Sequence, residues 1–250
     1  MKEDKDYKLH PIHEELLDIL SFIHETLVSH NLWYTLAYGT AIGAIRENGF
    51  IEWDRDADVL IKLPDREKIR KVLKENIPDR FEYIDASKDN VNCFDNIMSK
   101  KFGQLAEVDI YTIVGAPSID NWSERKKKRL LRRNKFLVKL TCAKYGDVKK
   151  LGKKYKVPPF LLVKGILHLI PNKLIRHIVR HYENKYDYAT AERCMALVSY
   201  AKPTEIIKKE VFDKVELHAF EDKQFCIVSQ YDTYLKSRYG NYMIPTTKKY

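Results

Sequence analysis

Residues 39–61 read GTAIGAIRENGFIEWDRDADVLI. Two carboxylates, Asp56 and Asp58, flank Ala57 where polar sequence gives way to the aliphatic run Val59, Leu60 and Ile61. A short apolar run bounded by polar residues reads as a buried strand. Side chains two apart on a strand share a face, so the two acids converge. Carboxylates that close raise each other's pKa unless a cation is shared. Oxygen-only ligands suit a hard ion, and Mg²⁺ commonly takes one or two carboxylates with phosphate and water. Just upstream, Gly39-Thr40 stands between an expected strand, LWYTLAY (32–38), and a short helical piece, AIGAIRE (41–47). Glycine lets a ligand approach the backbone, and a helix N-terminus offers N–H groups to phosphate. Arg46, on that piece, carries a forked guanidinium suited to phosphate. Taken singly these signals are weak, because D-x-D at a strand edge is commonly a solvated loop end.

Their order strengthens them. Residues 11–30 place Ile12, Leu16, Ile19, Leu20, Ile23 and Leu27 on one helical face, with Pro11 suited to the first turn. PDREKIRKVLKENI (64–77) reads as a helix opening at Pro64-Asp65. RFEYIDA (80–86), CFDNIMSK (93–100) and LAEVDIYTIV (105–114) are strand candidates. The last holds Asp109 between Val108 and Ile110, a place where solubility does not call for an acid. Beside the Asp56–Asp58 strand, Asp109 would complete a cluster, with Glu107 a weaker candidate two positions earlier. Strand, Gly-Thr, helix, D-x-D strand and a later strand aspartate is the layout of a nucleotidyltransferase site. The expected class is α+β, a mixed sheet flanked by helices.

The chain has 250 residues, of which 44% are apolar and 12% aromatic, enough for one large domain with a core. Forty-five Lys and Arg against 35 Asp and Glu leave a net charge of +10, which favours an anionic partner. Cys93, Cys142, Cys194 and Cys226 show no C-x-x-C pair, which argues for free thiols in a reducing compartment. The charged start, MKEDKDYKLH, is unlike a signal peptide, so the Asn121 sequon (NWS) reads as chance. The expected location is cytoplasmic, or peripheral on the cytoplasmic face of the membrane.

The second half changes character. Ser123 is a plausible N-cap for a helix whose residues 125–139 include nine Lys or Arg. VPPFLLVKGILHLIP (157–171) falls short of the about 20 apolar residues that span a bilayer. Flanked by lysines, it reads instead as an interfacial segment on an anionic membrane, against a bland reading of the charge as a solvated surface. No RNA-binding motif accompanies the charge, so no nucleic acid is expected. From PNKLIRHIVRHYENKY (171–186) onward the pattern reads as helical, and residues 219–243 as a strand pair and a helix ending at Gly240. His13, His24, His168, His177 and His181 read as surface histidines rather than zinc ligands.

Three blocks resemble the LicD family, whose members transfer phospho-alcohols from CDP-activated donors to sugars. They are GTAIGAIRENGFIEWDRDAD (39–58), EVDIYTIVGAP (107–117) and FEDKQFCIVSQYDTYLKSRYGNYMIP (220–245). The family patterns run approximately G-T-L-L-G-A-v-R-h-x-G-F-I-P-W-D-D-D-I-D, then E-V-D-I-F, then a closing y-L-x-x-x-Y-G-d-y-m. The chain is similar in the same way to the catalytic domain of fukutin-related protein. Arg55 stands where the family has an acid, Glu52 where it has proline and Glu47 where histidine is common.

The resemblance implies one nucleotidyltransferase-like domain over 1–250, with 123–190 as a basic helical insertion. It makes Asp56, Asp58 and Asp109 the catalytic and metal-binding acids, with Asp54 and Glu107 in support. Gly39, Thr40 and Arg46 fall on the donor- or phosphate-binding segment. The implied cofactor is Mg²⁺, or Mn²⁺. The implied donor is a CDP-activated alcohol (choline, glycerol or ribitol phosphate), and the acceptor a cell-surface glycan or its lipid-linked precursor, with CMP leaving. The alternatives are a nucleotidyltransferase that releases pyrophosphate, and a non-catalytic protein of this fold that binds anionic membrane or RNA.

Overall fold

The computed structural model describes residues 10–86, 94–145, 165, 169–196 and 203–245. The chain opens with α1 (Pro11–Ser29), where His10 Nδ1 accepts the free N–H of Ile12 and Pro11 fills the first turn. Its expected apolar stripe is buried from Ile12 to Leu27. A tight turn through Asn31, at φ 53°, leads into β1 (Tyr34–Leu36). The strand expected over 32–38 thus ends early: Tyr38 has φ 46° and opens α2 (Tyr38–Ile42), which runs on as a π-helical turn over Gly43–Glu47. Aromatic and β-branched composition favoured extension, yet packing against the C-terminal helix overrides it at Tyr38.

β2 (Ala57–Lys62) follows, then a 3₁₀ turn over Leu63–Asp65 and α3 (Arg66–Asn76). β3 (Phe81–Ile84), β4 (Asp95–Ser99) and the long β5 (Gly103–Ala116) complete the first half. The sheet runs β1-β2-β5-β4-β3. β2 and β5 are parallel, and the other pairings on this path are antiparallel. This is a mixed seven-stranded sheet flanked by helices, an α+β architecture as the sequence indicates.

After Ala116 the chain leaves the sheet for α4 (Glu124–Tyr145), whose Lys126 N–H donates to Ser123 Oγ at 3.4 Å, and later α5 (Asn172–Glu183). It returns as β6 (Arg193–Ala196) on the far half of β5, with β7 (Ile207–Lys208) beside it. β6 corrects the helical reading of that stretch. Four residues carry too little periodicity to announce a strand, and the free edge of β5 supplies the pairing. A separate hairpin, β8 (Val215–Phe220) and β9 (Lys223–Val228), precedes α6 (Tyr231–Tyr239), which ends at Gly240 with φ 67°. The apolar segment 157–171 lies almost wholly outside the described residues, as do His168, Cys93 and the side chain of Cys142. Cys194 and Cys226 are free and buried.

One large core joins α1, α2, both sheets and α6, while Val114, Ala116, Ile119, Leu130, Met195 and Ile206 form a smaller one under α4. Buried ion pairs tie the layers. Arg70 of α3 grips Asp95 at the start of β4 with Nε–Oδ2 at 2.7 Å and Nη2–Oδ1 at 3.1 Å. Arg66 holds Glu183 of α5 through two bonds of 2.6 and 3.0 Å, fastening the helical annex to the first half.

Candidate active site

The parallel register of β2 and β5 sets Asp58 directly beside Asp109, and the antiparallel register of β4 sets Asn96 on the other flank. Neighbouring strands lie about 4.8 Å apart. Three polar side chains therefore form a row across the middle of an otherwise aliphatic sheet. Along β5, Glu107 and Tyr111 share the face of Asp109 by strand parity. Tyr111 OH donates to Asp109 Oδ2 at 3.3 Å, and Asn96 Nδ2 donates to Glu107 Oε2 at 3.3 Å.

Asp56 stands just before β2 and is exposed, whereas Asp58 and Asp54 are half-buried. Asp54 shares a hydrogen bond with Asp56, so the first aspartate of the motif joins the cluster directly. Burial, then the Asp56 bond and charge, push Asp54 above the usual carboxylate range. Burial followed by the charges of Asp56, Asp109 and Asp54 does the same for Asp58, opposed by Arg238. Burial and then the Glu107 charge push Asp109 up to about 8. Unpaired carboxylates in apolar surroundings behave so because each charge is poorly solvated and faces others of its sign.

The arrangement fits a cation. Asp109 Oδ1 and Asn96 Oδ1 are buried with no hydrogen-bond partner. A buried unpaired oxygen of this kind carries a desolvation penalty that a bound ion would remove. Among the described residues, no three His, Cys, Asp or Glu side chains make a ready-formed metal cage. Mg²⁺ needs only one or two protein carboxylates when phosphate and water complete its shell, so a carboxylate pair suffices.

The expected phosphate segment is placed differently. Gly39 and Thr40 lie inside α2 rather than before it. Thr40 Oγ1, buried, accepts the N–H of Asp58 at 2.9 Å and thereby positions the D-x-D strand. A Cβ on Gly39 would sit 2.5 Å from Asp54 Oδ2, so the missing side chain is room for that carboxylate. Arg46 turns elsewhere: its Nη1 donates to the Tyr242 carbonyl at 2.9 Å and its Nε to Glu47 at 2.7 Å. The cation facing Asp58 is Arg238 of α6, braced by Glu205 and stacked 4.5 Å over the Tyr38 ring.

Tyr38 is itself strained, since a bulky residue at positive φ is rare outside over-determined sites. Its N–H donates to Tyr234 OH at 3.2 Å and its ring meets Tyr111 edge-on at 5.2 Å, which hold it. His13, expected on the surface, is buried: Nε2 contacts the Asp54 carbonyl at 2.6 Å and the ring stacks 4.4 Å from Phe50. Glu221, in the β8–β9 turn, accepts the Phe50 N–H at 2.9 Å through Oε1. The acidic loop is thus clamped from the N-terminal helix and from the C-terminal hairpin.

Residues 31–149 match the profile of the family described as LicD/FKTN/FKRP, nucleotidyltransferase domain. Over that segment the chain resembles the LicD family. The chain is also 24% identical, over 243 residues, to the lipopolysaccharide cholinephosphotransferase LicD of Haemophilus influenzae. That alignment takes in 91% of this chain and 88% of the relative. The matched LicD segment holds the whole acid row, Gly39, Thr40 and Arg46, while Arg238, Glu205 and Glu221 lie beyond it. Sequence reading missed those three, together with Asn96, Tyr111 and His13. Arg238 and Glu221 sit in the closing block that resembles the family, which was the available signal. Asn96 announced itself in no pattern, because only strand pairing brings it to Asp109.

Proposed function

We propose that this protein transfers a phospho-alcohol from a CDP-activated donor to a hydroxyl of a cell-surface glycan or its lipid-linked precursor, releasing CMP. The observation that carries the reading is the Asp58–Asp109 row, with its orphaned Asp109 oxygen and its facing Arg238, in a chain similar to a lipopolysaccharide cholinephosphotransferase. Asp56, Asp58 and Asp109 are the residues that would hold Mg²⁺, or Mn²⁺ in its place. When bound, the ion supplies charge neutralisation at the diphosphate. Arg238 adds a fixed positive charge where the phosphate's negative charge develops. The alternative role for Asp109, in place of metal binding, is general base: off the ion, its carboxylate would take the proton of the acceptor hydroxyl. The new bond joins acceptor oxygen to the phosphorus nearest the alcohol, the bond to the CMP oxygen breaks, and CMP leaves with the electron pair.

The test is a thermal-shift screen of CDP-choline, CDP-glycerol and CDP-ribitol with Mg²⁺, followed by product analysis with the stabilising donor. A bound donor stabilises by mass action, about 2.7 kcal/mol at a hundredfold excess over Kd. CMP is the expected product, and pyrophosphate from a nucleoside triphosphate would replace this reading with nucleotidyl transfer. Asp56→Asn and Asp58→Asn should each abolish turnover in a folded protein. Activity retained in both would overturn the assignment.

A further inference from the structure

Four exposed cations of α4 line one side of the helix. Arg125, Lys128, Arg129 and Arg132 follow the i, i+3, i+4, i+7 spacing of a single helical face and are all exposed. Phe136 continues that stripe at i+11 and is 60% exposed. The opposite side faces the protein: Leu130 and Asn134 are buried, and Asn134 Nδ2 lies 3.6 Å from Met195 Sδ. The acid of the first turn, Glu124, pairs with Lys127 rather than with the stripe.

Helix α5 packs beside α4. The Arg133 guanidinium covers the Tyr182 ring at 4.7 Å, and Ile178 and Tyr182 pack on the cluster that contains Leu130. Here too Ile175 and Val179 point inward while Lys173, His177 and Arg180 are exposed. Leu174 is 50% exposed among them. The acid of α5, Glu183, is buried on Arg66 and neutralises none of these cations. The result is a helix pair with cationic outer faces interrupted by large apolar side chains.

We propose that this α4–α5 surface docks the protein on an anionic bilayer. Clustered Lys and Arg are attracted to the negative surface potential of acidic lipids, and exposed Phe and Leu gain by entering the boundary between headgroups and acyl chains. A nucleic-acid backbone would satisfy the charge but offers nothing to Phe136 and Leu174. No described helix is long and apolar enough to cross a membrane. The inference stands on these helices alone and is independent of the acid row.

Flotation of the full chain with phosphatidylcholine vesicles, with and without phosphatidylglycerol, tests it. The wild-type protein should float only with the acidic vesicles. A variant combining Arg125→Gln, Lys128→Gln, Arg129→Gln and Arg132→Gln should lose at least tenfold in binding with an unchanged melting temperature. Phe136→Ser, at unchanged charge, should weaken vesicle binding several-fold and leave binding to a single-stranded RNA of similar charge unaltered. Absence of binding to acidic vesicles overturns the proposal, as does full binding by the quadruple variant. Equal binding of wild type and Phe136→Ser to vesicles assigns the face to polyanions in general and also overturns it.

Discussion

At the scale of single residues, the acid row has a consequence for stability. Asp54 and Asp109 have folded-state pKa values above the ordinary value of about 3.9, Asp109 at about 8. The folded protein therefore holds protons that the unfolded chain releases in this range. Stability from these groups is greatest below about pH 4 and is lost as pH rises toward 8. In metal-free protein the melting temperature should fall over that window, and Asp109→Asn should flatten the fall while lowering activity about a hundredfold or more. Circular-dichroism melts across pH check the first part and turnover the second. An unchanged pH slope in the variant would show that Asp109 is not the seat of the repulsion. The acids themselves were legible as residues, because carboxylates inside aliphatic runs stand out. Arg46 was legible too, but its direction was not. A side chain's direction is set by neighbours 196 positions away, here the carbonyl of Tyr242.

At the scale of elements, the site depends on how strands are fastened. Arg70 locks α3 to the first residue of β4, both partners being almost fully buried, and thereby fixes the register that places Asn96 beside Asp109. Arg70→Ala leaves Asp95 buried without its cation and should cost about 3–5 kcal/mol in chemical denaturation. The β8–β9 turn has a different task. Glu221→Ala removes the acceptor of the Phe50 N–H and should cost about 1–3 kcal/mol. Its sharper signature is a raised KM for the donor, since the loop that carries Asp54 loses one of its two clamps. An unchanged KM would confine Glu221 to stability. Helices α1, α3 and α4 were readable from periodicity and caps, and β2 and β5 from their aliphatic runs. The early end of β1 and the existence of β6 were not, because pairing and packing partners distant in sequence decided both.

At the scale of the whole molecule, the acid row and its clamps gather residues distant in sequence, so a ligand bound there would be coupled to folding. Mg²⁺ added to metal-free protein should raise the melting temperature more at pH 8, where the acids are ionised, than at pH 5, where protons already relieve their repulsion. Equal shifts at the two pH values would place the ion away from the row. The sequence by itself determined the α+β class, the two acidic strands and the resemblance to the LicD family. Those rest on local periodicity and on residue types whose chemistry does not depend on context. Only the tertiary structure decided which cation faces Asp58, why Gly39 and Thr40 are needed, and that His13 and Glu221 clamp the acidic loop. The physical reason is that charge, burial and hydrogen bonding act through space, and the chain brings Asn96, Arg238 and Asp109 together only once the sheet has paired.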